Sequence, residues 1–150
     1  MNIFNWFKEP NNRIGFNDIL QIILTIKTES KTILINTLPI TEQDYLILHT
    51  IQCHMEETII NEILKKMEEL NYTIIIYGKN VLDETTNTKY KQLNKLGFQK
   101  VYIYCGGLFE WSLLSELYGI DNFPTTMRCR DLLKFSPKQI LPNNYKQLLG

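Results

Sequence analysis

Several residues in this chain have types that could do chemistry, and each also has a plainer structural reading. In Cys105-Gly106-Gly107 a thiol precedes two glycines. Nearby backbone N–H groups favour a thiolate, so Cys105 could be a nucleophile or a redox-sensitive site. No general base is identified for it, and a half-buried packing cysteine is the favoured reading. Gly106-Gly107 could cradle a phosphate, but the further glycines and the lysine of a nucleotide loop are missing, so a tight turn is preferred. The stretch Gly78-Lys79-Asn80-Val81-Leu82-Asp83-Glu84-Thr85 follows an apolar run and precedes a helical pattern. Backbone N–H groups curling into a helix N-terminus suit an anion. Asp83 and Glu84 would repel one, and they suit the positive end of the helix dipole instead. His49, Cys53 and His54 lie within six residues of one another. They could ligate a metal, but no second ligand pair at zinc-like spacing accompanies them, and packing is preferred. Cys129, between Arg128 and Arg130, would ionise more easily for its neighbours, but its expected surface position near the end of the chain makes it incidental.

The elements that position these residues follow from periodicity. Phe16, Ile19, Leu20, Ile22, Ile23 and Ile26 keep helical spacing, with Asn17 as the expected N-cap. Thr32 to Thr37 reads as a buried strand, and a second strand is expected within Leu46 to Gln52. From Glu56 to Leu70, the apolar residues Ile59, Ile60, Ile63, Leu64, Met67 and Leu70 predict an amphipathic helix. Thr73 to Tyr77 is the most strand-like run, ending at Gly78. A helix containing Tyr90, Leu93 and Leu96 follows, with Gly97 as its C-terminal cap. Val101 to Tyr104 is another buried strand, and Leu108 to Tyr118 a helix that stops at Gly119. A short helix is expected near Arg130 to Phe135, then a docking tail broken by Pro137 and Pro142. Strands alternating with helices in this way predict a three-layer α/β/α sandwich with a mainly parallel central sheet. The domain is expected over residues 13–126, with an N-terminal apolar arm (1–12) and a C-terminal extension (127–150).

A chain of 150 residues, 44% hydrophobic, fits one domain. Sixteen basic and sixteen acidic side chains leave no net field for a phosphate backbone or an anionic membrane, so nucleic acid is not an expected partner. Three widely spaced cysteines predict free thiols in a reducing, cytoplasmic compartment. No apolar run reaches the roughly 18 to 20 residues of a membrane span, and the N-terminus lacks the pattern of a signal peptide. No cofactor or metal is expected. Ile3, Phe4, Trp6 and Phe7 form an apolar cluster that either docks a protein partner or folds back over the core.

One segment carries a family resemblance. From Thr73 to Trp111 the order is apolar strand, loop, helix ending in Leu96-Gly97-Phe98, strand Val101 to Tyr104, then Cys105-Gly106-Gly107 and Trp111. This resembles the C-terminal half of a rhodanese domain. Upstream, Ile33-Leu34-Ile35-Asn36, Asp44-Tyr45 and His49 are similar to further elements of that family, although Asn36 replaces its acidic residue and Leu48 its glycine. The resemblance implies a rhodanese-like fold in which Tyr77, Tyr104, Gly106 and Gly107 would rim the active-site pocket and Cys105 would stand beside the active-site loop. Active members place a cysteine directly after the strand, where it carries sulfur as a persulfide, and an arginine near the end of the loop. Here Gly78 takes the cysteine's place, and residues 78–85 contain neither thiol nor arginine.

The resemblance therefore implies a non-catalytic binding or regulatory module whose protein partner would meet the altered loop 78–85 or the aromatic arm. The alternative is an unconventional sulfurtransferase, sulfur carrier or redox protein working through Cys105. A phosphatase-like activity, known in relatives of this fold, lacks the same cysteine and arginine.

Overall fold

The computed structural model describes residues 12–26 and 31–142. The N-terminal arm with Ile3, Phe4, Trp6 and Phe7 lies outside the described residues, as does the end of the expected tail. The elements in chain order are β1 (Arg13–Ile14), α1 (Phe16–Ile26), β2 (Thr32–Asn36), α2 (Cys53–Lys65), β3 (Thr73–Tyr77), α3 (Thr85–Lys95), β4 (Lys100–Tyr104) and α4 (Gly107–Tyr118), with a 3-10 turn at Ile40–Glu42 after β2. The sheet runs β1-β4-β3-β2 and every pairing is parallel. Strand β1 comes from two residues at the edge of the expected arm. Asn12 joins it by accepting a bond from Ile103 N at 2.7 Å.

Continuous isoleucine runs suit strands covered on both faces, because alternate side chains point to opposite layers. Leu34 and Ile75 pack with Ile19 and Ile23 of α1 and with Leu108 and Trp111 of α4. Ile33, Ile35, Ile74, Ile76 and Val101 pack on the other face with Ile60 and Ile63 of α2, Leu93 of α3 and Phe98. The result is the three-layer α/β/α sandwich expected from the sequence, with a sheet that is parallel throughout the described residues. Each fully buried isoleucine in these layers stabilises the fold by about 1.5–3 kcal/mol before entropy is counted.

The helix ends show why some boundaries differ from the periodicity. Helix α3 stops in a Schellman turn: Gly97 has φ 104°, Gly97 N donates to Asn94 O, and Phe98 N donates to Leu93 O. That is the cap expected of Gly97. Helix α2 ends in the same turn with a methionine, Met67, at φ 53°, where Met67 N donates to Leu64 O and Glu68 N to Ile63 O. The periodicity carried this helix to Leu70, but the turn stops it at Lys65 and leaves Met67 and Leu70 exposed. Asn17 is not a cap, because α1 already begins at Phe16.

Two expected elements are absent. Leu46 to Gln52 forms no strand: Ile47 makes one isolated antiparallel bridge with Thr125, then Thr50 N bonds back to Ile47 O and His49 turns left-handed at φ 69°. Ile47 is nevertheless fully buried, so its apolar neighbourhood reflects core contact rather than sheet membership. The expected helix near Arg130 to Phe135 is a turn, in which Asp131 Oδ1 accepts from Leu133 N and Lys134 N bonds Asp131 O. An aspartate that satisfies nearby backbone in this way favours a turn over a helix. Phe135, inside the expected C-terminal extension, is buried and stacks on Tyr45 with ring centroids 5.8 Å apart.

Candidate functional site

The parallel register sets Tyr77 beside Tyr104 and brings the exits of β3 and β4 to one end of the sheet. Gly78 leaves β3 there, and the start of α4 folds against it: Leu108 N donates to Gly78 O at 2.9 Å and Phe109 N to Lys79 O at 2.8 Å. Gly107 makes this approach possible. Its φ is +66°, and a Cβ at this position would come within 2.8 Å of Gly78 O and 2.9 Å of Asn80 N. The Gly106-Gly107 pair is thus a close-packing turn. Gly106 likewise lies under Glu110, whose carboxylate a Cβ would overlap, and Glu110 accepts a 2.7 Å bond from the Tyr104 hydroxyl.

Inside the loop, the Asp83 side chain turns back toward the strand. Its Oδ2 accepts from Lys79 N at 2.8 Å, while Oδ1 accepts from Thr85 N at 3.0 Å and lies 2.6 Å from the Thr85 hydroxyl. A side chain at Gly78 would overlap this carboxylate, with Asp83 Cγ only 2.8 Å from the position of its Cβ. Asp83 therefore satisfies the first N–H of α3, as the helix-dipole reading expected, and also fills the space in front of Gly78. Glu84 takes no part in that cradle and accepts from Asn87 Nδ2 at 2.7 Å instead.

The remaining loop residues are tied down by distant partners. Lys79 Nζ pairs with Glu42 Oε2 at 2.6 Å. Asn80 Oδ1 accepts from Leu82 N, and its Nδ2 donates to Phe135 O at 3.0 Å. Thr85 lies 2.7 Å, hydroxyl to hydroxyl, from Thr37 at the end of β2. Val81 and Leu82 point into solvent, 67% and 58% exposed.

Tyr77 and Tyr104, expected on a pocket rim, are instead buried in the core. Tyr77 Oη accepts from Ile47 N at 3.2 Å and lies 2.7 Å from the Thr50 hydroxyl, so it pins the Leu46–Thr50 segment to the sheet. Burial pushes the Tyr77 hydroxyl well above the usual tyrosine range, against the lowering effect of Thr50 and Ile47. Burial raises Tyr104 as well, and the acceptor and charge of Glu110 push it further.

Cys105 is half-buried, and its thiol donates to Ile103 O at 3.8 Å. Cys53 is exposed at the start of α2, Cys129 is half-buried, and all three thiols are free. His54 is exposed beside Cys53, whereas His49 sits in the left-handed turn with Nε2 buried. Among the described residues no group of three or more His, Cys, Asp or Glu is placed to hold a metal ion. No helix among them is long and apolar enough to cross a membrane.

A strand exit, a loop and a following helix in this arrangement can be compared with known proteins. Residues 47–114 match the family model described as Rhodanese-like domain. Over that stretch the chain has a rhodanese-like fold. No curated protein matches the chain significantly. Its fold is similar to the crystal structure of the Alr3790 protein from Anabaena sp., with a TM-score of 0.53, 19% identity, and coverage of 80% of this chain and 96% of that one. It is also similar to a full-length protein from Lactobacillus plantarum, with a TM-score of 0.50, 16% identity, and coverage of 69% and 83%.

Within this fold, the sequence located loop 78–85 and its neighbours Gly106 and Gly107. It missed Thr37, Glu42, Glu110 and Phe135, each of which fixes a residue of this end of the sheet. Thr37, Glu42 and Phe135 are brought to the loop from 37 to 55 residues away, and no local pattern encodes such a pairing.

Proposed function

We propose that this rhodanese-like domain is a non-catalytic binding or regulatory module that meets its partner through the face carrying loop 78–85. The observation that carries the reading is the Asp83 carboxylate, seated on Lys79 N and Thr85 N in the space that a side chain at Gly78 would need. In the resembling enzymes that space belongs to the sulfur-carrying cysteine. A carboxylate there supplies no thiol to carry sulfur, occupies the backbone donors that would favour an anion, and places a negative charge against one. The loop 78–85 also offers no arginine. Its outward face instead exposes Val81 and Leu82, which suits contact with another protein.

The competing reading is sulfur transfer or redox chemistry through Cys105, which its partial exposure at the exit of β4 allows. Intact-protein mass spectrometry after incubation with thiosulfate or 3-mercaptopyruvate, with sulfur release to cyanide followed in parallel, separates the two. The expected result is neither adduct nor turnover. A one-sulfur adduct with turnover, both lost in Cys105→Ser, would replace the non-catalytic reading with a displaced nucleophile.

A further inference from the structure

We infer that the groove beside loop 78–85 receives an acidic peptide segment that also presents apolar side chains; this deepens the binding-module reading and rests on it. The groove lies between Thr37–Pro39, the loop from Lys79 to Asp83, and residues 134–140, and encloses about 570 Å3. Leu38, Pro39, Leu82 and Ile140 form its apolar lining. Leu82 is 58% and Ile140 85% exposed, and Ile40, next to Pro39, is 78% exposed. Large aliphatic side chains gathered around one depression mark a surface that another chain covers.

The charges select the partner. Among the described residues, Lys79, Lys134 and Lys138 line the groove, together with the carboxylate of Asp83. Lys79 is neutralised by Glu42, and Asp83 is turned inward to Lys79 N and Thr85. Lys134 Nζ stands 5.5 Å from the centre of the Phe135 ring, and neither Lys134 nor Lys138 has an ion pair among the described residues. Two ammonium groups without an ion pair among the described residues, beside an aliphatic wall, match carboxylates alternating with apolar side chains. A nucleic-acid strand fits less well, because none of the described residues lining the groove is aromatic and able to stack a base, and the chain has no net positive charge. A small free anion would leave Leu82 and Ile140 in water.

The test uses the full chain and three fluorescein-labelled peptides of about ten residues, within the span such grooves hold. One is built from Glu-Glu-Leu repeats, the second replaces Glu by Lys, and the third replaces Leu by Gly. The first is expected to bind saturably, at least about tenfold more tightly than the others, and to weaken as salt screens the lysines. Its backbone amide shifts should map to residues 79–85 and 134–140. The double variant Lys134→Glu/Lys138→Glu, and separately Leu82→Asp, should each weaken it about tenfold, with circular dichroism confirming that the variants fold. Absence of saturable binding, equal binding of the basic peptide, or shifts confined to another face would overturn the groove. The cyanide assay keeps the two readings apart: turnover by the unmodified chain overturns the non-catalytic module, whereas no turnover and no peptide binding overturns the acidic-peptide groove alone.

Discussion

At Gly78 two requirements meet in one atom's worth of space, because the residue that leaves β3 has no Cβ and the Asp83 carboxylate sits where one would be. The two positions are coupled, so their substitutions should not add. Gly78→Ala is expected to destabilise the fold by about 1–3 kcal/mol, since the carboxylate must leave its bonds to Lys79 N and Thr85 N. In an Asp83→Gly background the same alanine should cost at least about 1 kcal/mol less. Urea unfolding of the four chains measures this coupling, and simple additivity would show that the carboxylate does not fill the space. Gly107→Ala should be worse than Gly78→Ala. It combines a positive φ with backbone contacts at 2.8 and 2.9 Å that cannot rotate away, and a loss of about 2 kcal/mol or more in the same unfolding measurement is expected.

The helix ends offer a matched pair of elements. Helices α2 and α3 close in the same Schellman turn, but α3 uses Gly97 at the left-handed position and α2 uses Met67. A side chain in that conformation costs roughly 1–2 kcal/mol, and Met67, 85% exposed, recovers little by packing. Met67→Gly is therefore expected to stabilise the chain by about 0.5–1 kcal/mol, the greater freedom of glycine in the unfolded state offsetting part of the gain. Gly97→Ala should destabilise by a similar amount. Thermal melts of the two variants test the pair, and a melting temperature lowered by Met67→Gly would refute the strain argument.

Across the whole molecule, three tyrosines buried between the sheet and its covering segments tie stability to alkaline pH. Burial pushes the Tyr45 hydroxyl from 10.0 up to about 12, outweighing its bond to Thr125, and raises Tyr77 and Tyr104 too. In the unfolded chain these hydroxyls ionise near pH 10. The native state thus keeps protons that the unfolded state has lost, and stability falls as pH rises above about 10. The contribution is full below that value and declines through about pH 12, where Tyr45 titrates in the folded chain. Unfolding midpoints followed from about pH 8 to 11 should fall on the alkaline side, and Tyr45→Phe should remove part of the slope. An unchanged slope in that variant would place the alkaline sensitivity elsewhere.

The sequence by itself determined the layered α/β/α order, the core of β2, β3 and β4, the cap at Gly97, and the absence of a thiol and an arginine from loop 78–85. These are local facts: side-chain period, glycine at a helix stop and residue identity are read within a few neighbours. The strand expected in Leu46–Gln52 failed because periodicity reports burial, and Ile47 is buried in the core cluster with Leu34, Tyr77 and Phe123 while its backbone makes an isolated bridge with Thr125 in place of a strand. Only the tertiary structure decided that Tyr77 and Tyr104 belong to the core, that Asp83 turns back onto Gly78, and that Phe135 closes the domain from within the supposed extension. It also placed Glu42 on Lys79 and set Lys134 and Lys138 beside Leu82. Such pairings join residues tens of positions apart, and their existence depends on which strand exits the parallel register brings to one end of the sheet, a relation that no local window of the chain contains.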